Sequence, residues 1–344
     1  MTFRVDAERL ARSRFVVSPL VELTNGLEVL VRPHRAPYAT DWVRRTRRRV
    51  DPASVALLFG LVGHDSWYVP DFLVPLPDRY APELTDELAA VAATPAYFVR
   101  HQLRMAFRIG PPPAAALRRS QRGRDPRSPL PAAVAEALDT GGEAALASRV
   151  AEQLARCWRP MLADSWATLR RVLDEDVRHR ATTATRVGFA EVIGDLHPKV
   201  RWDGRRVMLQ HPYELDVDAA PGLVLAPSVF LPRPAVWLDE PGQAMLGYPA
   251  RGRGAVFATA EPAPNESAIL GPRRAALLKD LGTPRSTKEL AARHRLSAPT
   301  VSYHLSRLRE AGLVAARRSG QSVLYERTGR AESLLTLLDV TPTA

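Results

Sequence analysis

Tyr303, Ser306 and Arg307, flanked by Thr300 and Ser302, are hydrogen-bonding side chains spaced so that a helix would gather them on one face. Val301, Leu305 and Leu308 recur at i, i+4 and i+7 and would line the opposite face, packed inward. Hydroxyls, a phenol and a guanidinium on the open side of a helix are the groups that reach base edges and phosphates in a DNA major groove. Such a face makes and breaks no covalent bond. Its chemistry is readout by hydrogen bonds and charge.

The flanking residues supply the elements that would hold this face in place. Ser297 caps the helix, and Pro299 in its first turn is harmless because no intrahelical donor is needed there. Upstream, Ser286 and Glu289 form a capping box that opens a shorter helix, whose buried side is Leu290 and Ala291 and which ends at Leu296. Downstream, Gly312 predicts a left-handed stop. Leu313 to Arg318 and Ser322 to Arg327 then predict a hairpin turning at Ser319-Gly320, with Val323 and Tyr325 on one face. Two short helices followed by such a ribbon read as a helix-turn-helix with a wing, whose usual ligand is duplex DNA. The expected DNA-contacting residues are Ser297, Thr300, Ser302, Tyr303, His304 and Arg307 on the helix and Arg317, Arg318 and Gln321 on the wing. His304 lies toward the flank of the buried side, which suits a structural or phosphate-contact role.

This segment resembles the winged helix of the ArsR family of bacterial repressors. The likeness is carried by Leu296-Ser297, Thr300-Val301-Ser302, His304-Leu305, the run from Leu308 to Val314, and the wing from Arg317-Arg318 to Tyr325. The upstream run Leu270-Gly271-Pro272-Arg273-Arg274, leading into Ala276-Leu277-Leu278, is similar to the family's first DNA-domain helix. The likeness covers under a quarter of the chain. It implies that the helix from Ser297 to Arg309 is the recognition helix, in a homodimer that represses a promoter and releases it on binding a signal. Metal-sensing members carry a cysteine pair near the first recognition-domain helix, or His and acidic ligands on the helix after the wing. Residues 286–297 contain no Cys and the last helix, around Glu332 to Leu338, no His, so metal sensing is not carried over.

Charge placement agrees with a nucleic-acid partner. The formal net charge of the chain is +11, and residues 268–344 hold 13 Lys+Arg against 6 Asp+Glu, so most of the excess sits in that quarter. Only three of the 48 basic residues are Lys, a composition that suggests GC-rich coding, so codon bias is an alternative to function for part of the Arg excess. One Cys excludes an internal disulfide framework. The best apolar run, Ala53 to Gly63, falls short of the roughly 20 residues a membrane helix needs. The N-terminus lacks the apolar core of a signal peptide, and a cytoplasmic protein with no membrane association is expected.

The long N-terminal region predicts a mixed domain, helical over 1–186 and β-rich over 187–260. Phe3 and Val5 could begin a strand, and Asp6 could cap a helix from Ala7. Residues 19–31 predict a helix bent near Asn25-Gly26; Glu83 to Ala93 and Tyr97 to Ile109 predict two more. Residues 111–131, dense in Pro and Arg, predict an exposed loop. Ala144 to Trp158 and Leu162 to Arg178 predict long helices broken or kinked at Pro160, their Leu154, Trp158, Leu162, Trp166, Leu169 and Leu173 stripe reading as core. Val200 to Trp202 and Arg206 to Leu209, joined through Asp203-Gly204, predict a hairpin; Leu223 to Phe230, Ala235 to Leu238 and Ala244 to Tyr248 predict further strands. A Pro-rich run at 261–267 makes a linker. The order of these pieces, with the Gly-Tyr-Pro-Ala-Arg-Gly stretch at 247–252, is similar to an uncharacterised domain fused to ArsR-type wings in high-GC bacteria.

Catalytic motifs do not emerge there. GxGxxG, a Walker lysine loop, HExxH and GxSxG are all missing, and His64-Asp65-Ser66 holds triad residue types without triad spacing. Cys157 beside Trp158 reads as a buried thiol. The run Arg44, Arg45, Arg47, Arg48 and Arg49 is either a solvated helix face or an auxiliary phosphate contact. The expectation is therefore an α+β, helix-rich chain: an α+β domain over 1–262 for dimerisation or ligand sensing, then a winged helix-turn-helix over 263–344. Its function is a DNA-binding regulator, a dimeric repressor of a palindromic promoter released by an unidentified signal, for which a small-molecule effector is one candidate, with no cofactor and no catalysis. The competing reading is an enzyme in the N-terminal domain anchored to DNA by the wing.

Overall fold

The computed structural model describes residues 1–63, 68–111, 113, 125–211, 215–239, 243–257, 270–319 and 322–339. The chain divides into two compact units, Met1–Phe257 and Ala258–Ala344. The linker expected at 261–267 lies outside the described residues, as does His64-Asp65-Ser66.

In the first unit, α2 (Pro19–Val31) is apolar nearly all round and buried along its whole length, as a helix without a polar face must be. Its start is capped twice. Ser18 Oγ accepts from Val21 N, and Glu87 accepts from Leu20 N at 2.9 Å and from Ser18 Oγ at 2.5 Å. Glu87 belongs to α5 (Leu84–Ala92), and burial pushes its carboxyl up to about 7. The bend expected at Asn25-Gly26 is absent: α2 is continuous. A Cβ at Gly26 would stand 3.3 Å from the Trp42 ring and 3.4 Å from Met161 Cε, so glycine there serves close packing.

The long helix α7 (Ala132–Met161) has α2, α4 (Ala56–Gly63), α5 and α6 (Ala96–Ala106) packed against it. Alpha-helix α1 is Ala7–Ala11, capped by Asp6 as expected, and α3 is Thr40–Arg47. The interruption expected at Pro160 comes two residues later, and a second one lies upstream. Gly142, at φ +66°, breaks α7 internally, whereas Pro160 sits within its last turn and the chain leaves the helix at Leu162. From there α8 (Trp166–Val187) and α9 (Phe189–Asp195) follow. The aromatic stripe is core: Leu154, Leu162, Leu169 and Leu173 are buried, and Trp158 and Trp166 meet edge to face at 5.4 Å. Cys157 is fully buried, and burial pushes its thiol up to about 12, which leaves it protonated and unreactive.

Two four-stranded sheets complete the unit. One has the order β3 (Val200–Trp202), β4 (Arg206–Leu209), β1 (Thr2–Arg4), β5 (Asp216–Asp218); the other β2 (Arg14–Phe15), β6 (Val224–Ser228), β8 (Ala244–Pro249), β7 (Ala235–Leu238). The expected hairpin forms in register, with Val200 opposite Leu209 and Trp202 opposite Val207. Strands β3 to β8 all fall in the stretch expected to be β-rich, 187–260, but β1 and β2 from the first fifteen residues join the two sheets, and α9 and α10 (Arg253–Phe257) are helices in the β-rich part. Phe3, Val5, Val207, Leu225 and Leu246 form a second core between sheet faces.

Two local expectations also change. Helix α6 stops at Ala106, since Phe107 is extended and bridges to Ser128. The stretch taken as an exposed loop is in part an anchor: Arg127 is 4% exposed, its Nη1 donates to the carbonyls of Arg104, Phe107 and Gly110, and Asp125 holds its other edge. The arginine run on α3 is largely engaged. Arg44 pairs with Asp41 at 2.6 Å, Arg47 donates to the Leu30 carbonyl at 2.8 Å and Arg49 pairs with Asp164 at 2.6 Å. Replacing Arg44, Arg45 and Arg48 together is expected to leave the salt dependence of DNA binding unchanged in anisotropy titrations. A slope shallower by about 0.9 for each phosphate no longer neutralised would restore the phosphate-contact reading.

Candidate nucleic-acid interface

The second unit consists of α11 (Pro272–Asp280), β9 (Arg285–Ser286), α12 (Thr287–His294), α13 (Ala298–Glu310), β10 (Val314–Ser319), β11 (Ser322–Arg327) and α14 (Gly329–Asp339). The capping box at Ser286 and Glu289 forms as expected: Glu289 Oε2 accepts from Ser286 N at 2.7 Å while Ser286 Oγ accepts from Glu289 N. Arg295, at φ +52°, ends α12 in the left-handed region and turns the chain into α13. At the far end Gly312 takes φ +70° and starts the wing. The wing ladder runs from Val314 opposite Arg327 to Ser319 opposite Ser322. Ser319 thus belongs to the strand rather than to the turn. The two-residue strand β9, unforeseen, pairs with β11 through Leu324 and Tyr325 and ties the wing back to the start of α12.

On α13, Val301, Leu305 and Leu308 are buried against Leu277, Leu278 and Leu290 in the core of this unit. The opposite face is open. Ser302, Tyr303, Ser306 and Arg307 are exposed, Tyr303 to 58%. The Arg307 guanidinium lies 5.7 Å from the Tyr303 ring centroid and pairs with Glu310 at 2.9 Å, so the two groups form one preset cluster. Ser297 Oγ accepts from Thr300 N and lies 2.8 Å from Thr300 Oγ1, which gives both hydroxyls an internal capping task. Arg317 and Arg318 are exposed on the wing; Gln321 lies outside the described residues.

Of the two roles expected for His304, structural or phosphate contact, its surroundings fit the structural one. Both ring nitrogens are buried and meet no partner among the described residues, and burial, then Arg274 and Arg273, push its pKa down. A neutral imidazole turned inward is a packing group, and it marks where the exposed Arg273 and Arg274 of α11 approach the middle of α13. Those two arginines are additional candidates for phosphate contact. Sequence reading passed over them because they open a different helix; the basic pair directly after Gly271-Pro272 was the available signal.

Asp280 organises the base of this unit. It holds Arg293 at 2.7 Å, His294 at 3.0 Å and Arg285 at 3.1 Å, and these partners, Arg293 foremost, keep its carboxyl below the usual range. Those side chains are therefore structural rather than free for DNA. A depressed folded-state pKa means that the stabilisation is complete above the unfolded pKa, near 4, and is lost as pH falls through the folded value. Asp280→Asn is expected to destabilise the second unit by about 1–3 kcal/mol at pH 7. Amide hydrogen exchange of α11 and α12 should show the gap between variant and parent closing on acidification below pH 4; a constant gap would mean the carboxylate charge is irrelevant.

Residues 1–254 match the model of a family of unknown function, DUF5937. The chain belongs to that family. Residues 270–317 match the model of a helix-turn-helix domain. Together with the open face of α13, that match makes this DUF5937 protein a DNA-binding transcription regulator. No curated protein and no solved structure matches the chain. Among the described residues no helix is long and apolar enough to cross a membrane.

The DUF5937 region contains the Gly-Tyr-Pro-Ala-Arg-Gly stretch, and the structure gives it a packing role. A Cβ on Gly247 would fall 2.4 Å from the Trp237 ring, so only glycine lets β7 and β8 approach there. Tyr248 is fully buried and donates to Asp176 Oδ2 at 2.8 Å, while Arg251 N donates to Asp176 Oδ1 at 3.0 Å.

Proposed function

We propose that this protein is a homodimeric repressor whose two recognition helices enter successive major-groove faces of a palindromic promoter, about 34 Å apart. The observation that carries this reading is the division of α13 into a fully packed apolar stripe and an open polar face beside a basic wing. Tyr303, Ser302 and Arg307 read bases; Arg317, Arg318, Arg273 and Arg274 hold phosphates. The DUF5937 unit dimerises, senses a signal, or does both, and acts without catalysis. The signal is an organic molecule rather than a transition metal, because residues 286–297 hold no Cys and α14 no His.

Fluorescence anisotropy of the full-length chain on its own upstream DNA, beside random DNA of equal length at two salt concentrations, tests the core of this reading. A specificity ratio that persists at higher salt supports it. Equal and steeply salt-sensitive binding to both DNAs would reduce the wing to a charged surface at that site. Sedimentation of the free protein should give a dimer, and a monomer that stays monomeric on DNA would remove the palindrome.

A further inference from the structure

The first unit has a solvent-open cavity of about 450 Å³ between α2, α6 and β7. That volume is in the range of small-molecule sites, which are mainly apolar with a few converging polar groups. Four aromatic residues line it: Tyr68, Phe98, Phe230 and Trp237. Asp71 also lines it, and lines a smaller adjoining cavity of about 180 Å³ as well. One Asp71 oxygen, Oδ2, accepts from Tyr68 Oη at 3.0 Å and from Leu238 N at 3.4 Å. The other has no hydrogen-bond or ion-pair partner among the described residues.

The cations at this cavity are elsewhere. Arg35, 3.9 Å from Glu28, and the exposed Arg233 line the same cavity beside Glu28, so a carboxylate of the chain already faces them, and the Met1 ammonium, which also lines it, donates to the Leu209 carbonyl at 3.0 Å. Asp71 has no guanidinium within ion-pair distance among the described residues, and burial pushes its carboxyl up to about 7. A carboxylate set into an apolar site without a counter-charge is stabilised in its ionised form by a cation brought from outside. Aromatic faces around it attract the same charge.

We propose that this cavity binds an amphipathic organic cation, an amine whose ammonium pairs with Asp71 while its apolar body lies among Tyr68, Phe98, Phe230 and Trp237. The inference deepens the sensing role proposed above, although cation binding itself does not depend on that role. It is tested on the full-length protein by calorimetric titration with three probes that share one ring system: 1-naphthylmethylamine, 1-naphthylmethanol and 1-naphthoate at pH 7.5. The ammonium should bind saturably and at least tenfold more tightly than the alcohol, and the carboxylate most weakly. Asp71→Asn should abolish the preference for the ammonium while alcohol binding persists.

Val69→Phe, which fills the cavity from its wall, should weaken ammonium and alcohol alike and decides the matter should Asp71→Asn fold poorly. Equal binding of all three probes, a preference for the carboxylate, or no binding up to millimolar concentration would overturn the proposal. Anisotropy on upstream DNA with and without the ammonium separates this inference from the regulatory reading. Bound cation with unchanged DNA affinity keeps the site and removes its sensing role. Altered DNA affinity without binding in this cavity, judged by an unaffected Val69→Phe variant, sinks the site and keeps the regulator.

Discussion

Asp176→Ala is expected to destabilise the first unit by about 3–5 kcal/mol, a large part of the whole stability of a typical domain. Asp176 on α8 is 1% exposed and Arg180, one turn on, is 2% exposed. The carboxylate accepts from Arg180 Nε at 3.0 Å, from the Tyr248 hydroxyl and from the Arg251 backbone, and the Arg180 guanidinium lies 4.6 Å from the Tyr248 ring centroid. Removing the carboxylate leaves a buried cation, a hydroxyl and an amide without their acceptor, while Asp195 at 3.4 Å is the remaining partner of Arg180. Much of the loss is that uncompensated charge rather than the worth of the pair.

The double variant Asp176→Leu, Arg180→Met should therefore be less damaged than Asp176→Ala alone. All six Trp residues fall at or before residue 237, so Trp fluorescence during urea unfolding reads this unit without contribution from the wing. A loss below about 1 kcal/mol would show that water reaches the site and that Asp176 does not hold the sheet to α8.

This network could not be read from the sequence, whereas the winged unit could, because the determinants of the wing are local. The Ser286–Glu289 box, the Ser297 cap, the Gly312 stop and the i, i+4, i+7 stripe each act within a few residues. Its one unforeseen element, β9, is two residues long and is defined only by its pairing with β11. In the first unit the deciding interactions are remote. Phe3 and Val5 announce a strand at β1, but its partner is not local: Thr2 pairs with Met208, and the two-residue β2 pairs Arg14 with Val224, some two hundred residues later. Asp176, Glu87 and Arg127 look like surface charges in sequence, and each is buried because a distant partner satisfies it. The cavity has the same origin: Asp71, Phe98 and Trp237 come from three separated segments.

On the DNA side, the expected result is that Arg307→Ala weakens binding to the specific site by about 1–3 kcal/mol and changes binding to random DNA little. The reason is what holds Arg307 in the free protein. Its partner Glu310 is 61% exposed, and such a surface pair contributes about 0–1 kcal/mol, so the guanidinium is oriented by Glu310 and Tyr303 yet readily handed to a base edge. The paired variant Arg317→Ala, Arg318→Ala should behave differently. Those side chains stand exposed on the wing without an ion-pair partner among the described residues, and the proposed role for them is phosphate contact. Their removal should lower affinity for both DNAs and make the salt slope shallower by about 0.9 for each phosphate left without its arginine. Anisotropy titrations of both variants on both DNAs at several salt concentrations separate the roles. Equal losses on specific and random DNA for Arg307→Ala would reassign it to the backbone and leave Ser302 and Tyr303 to carry the reading of sequence.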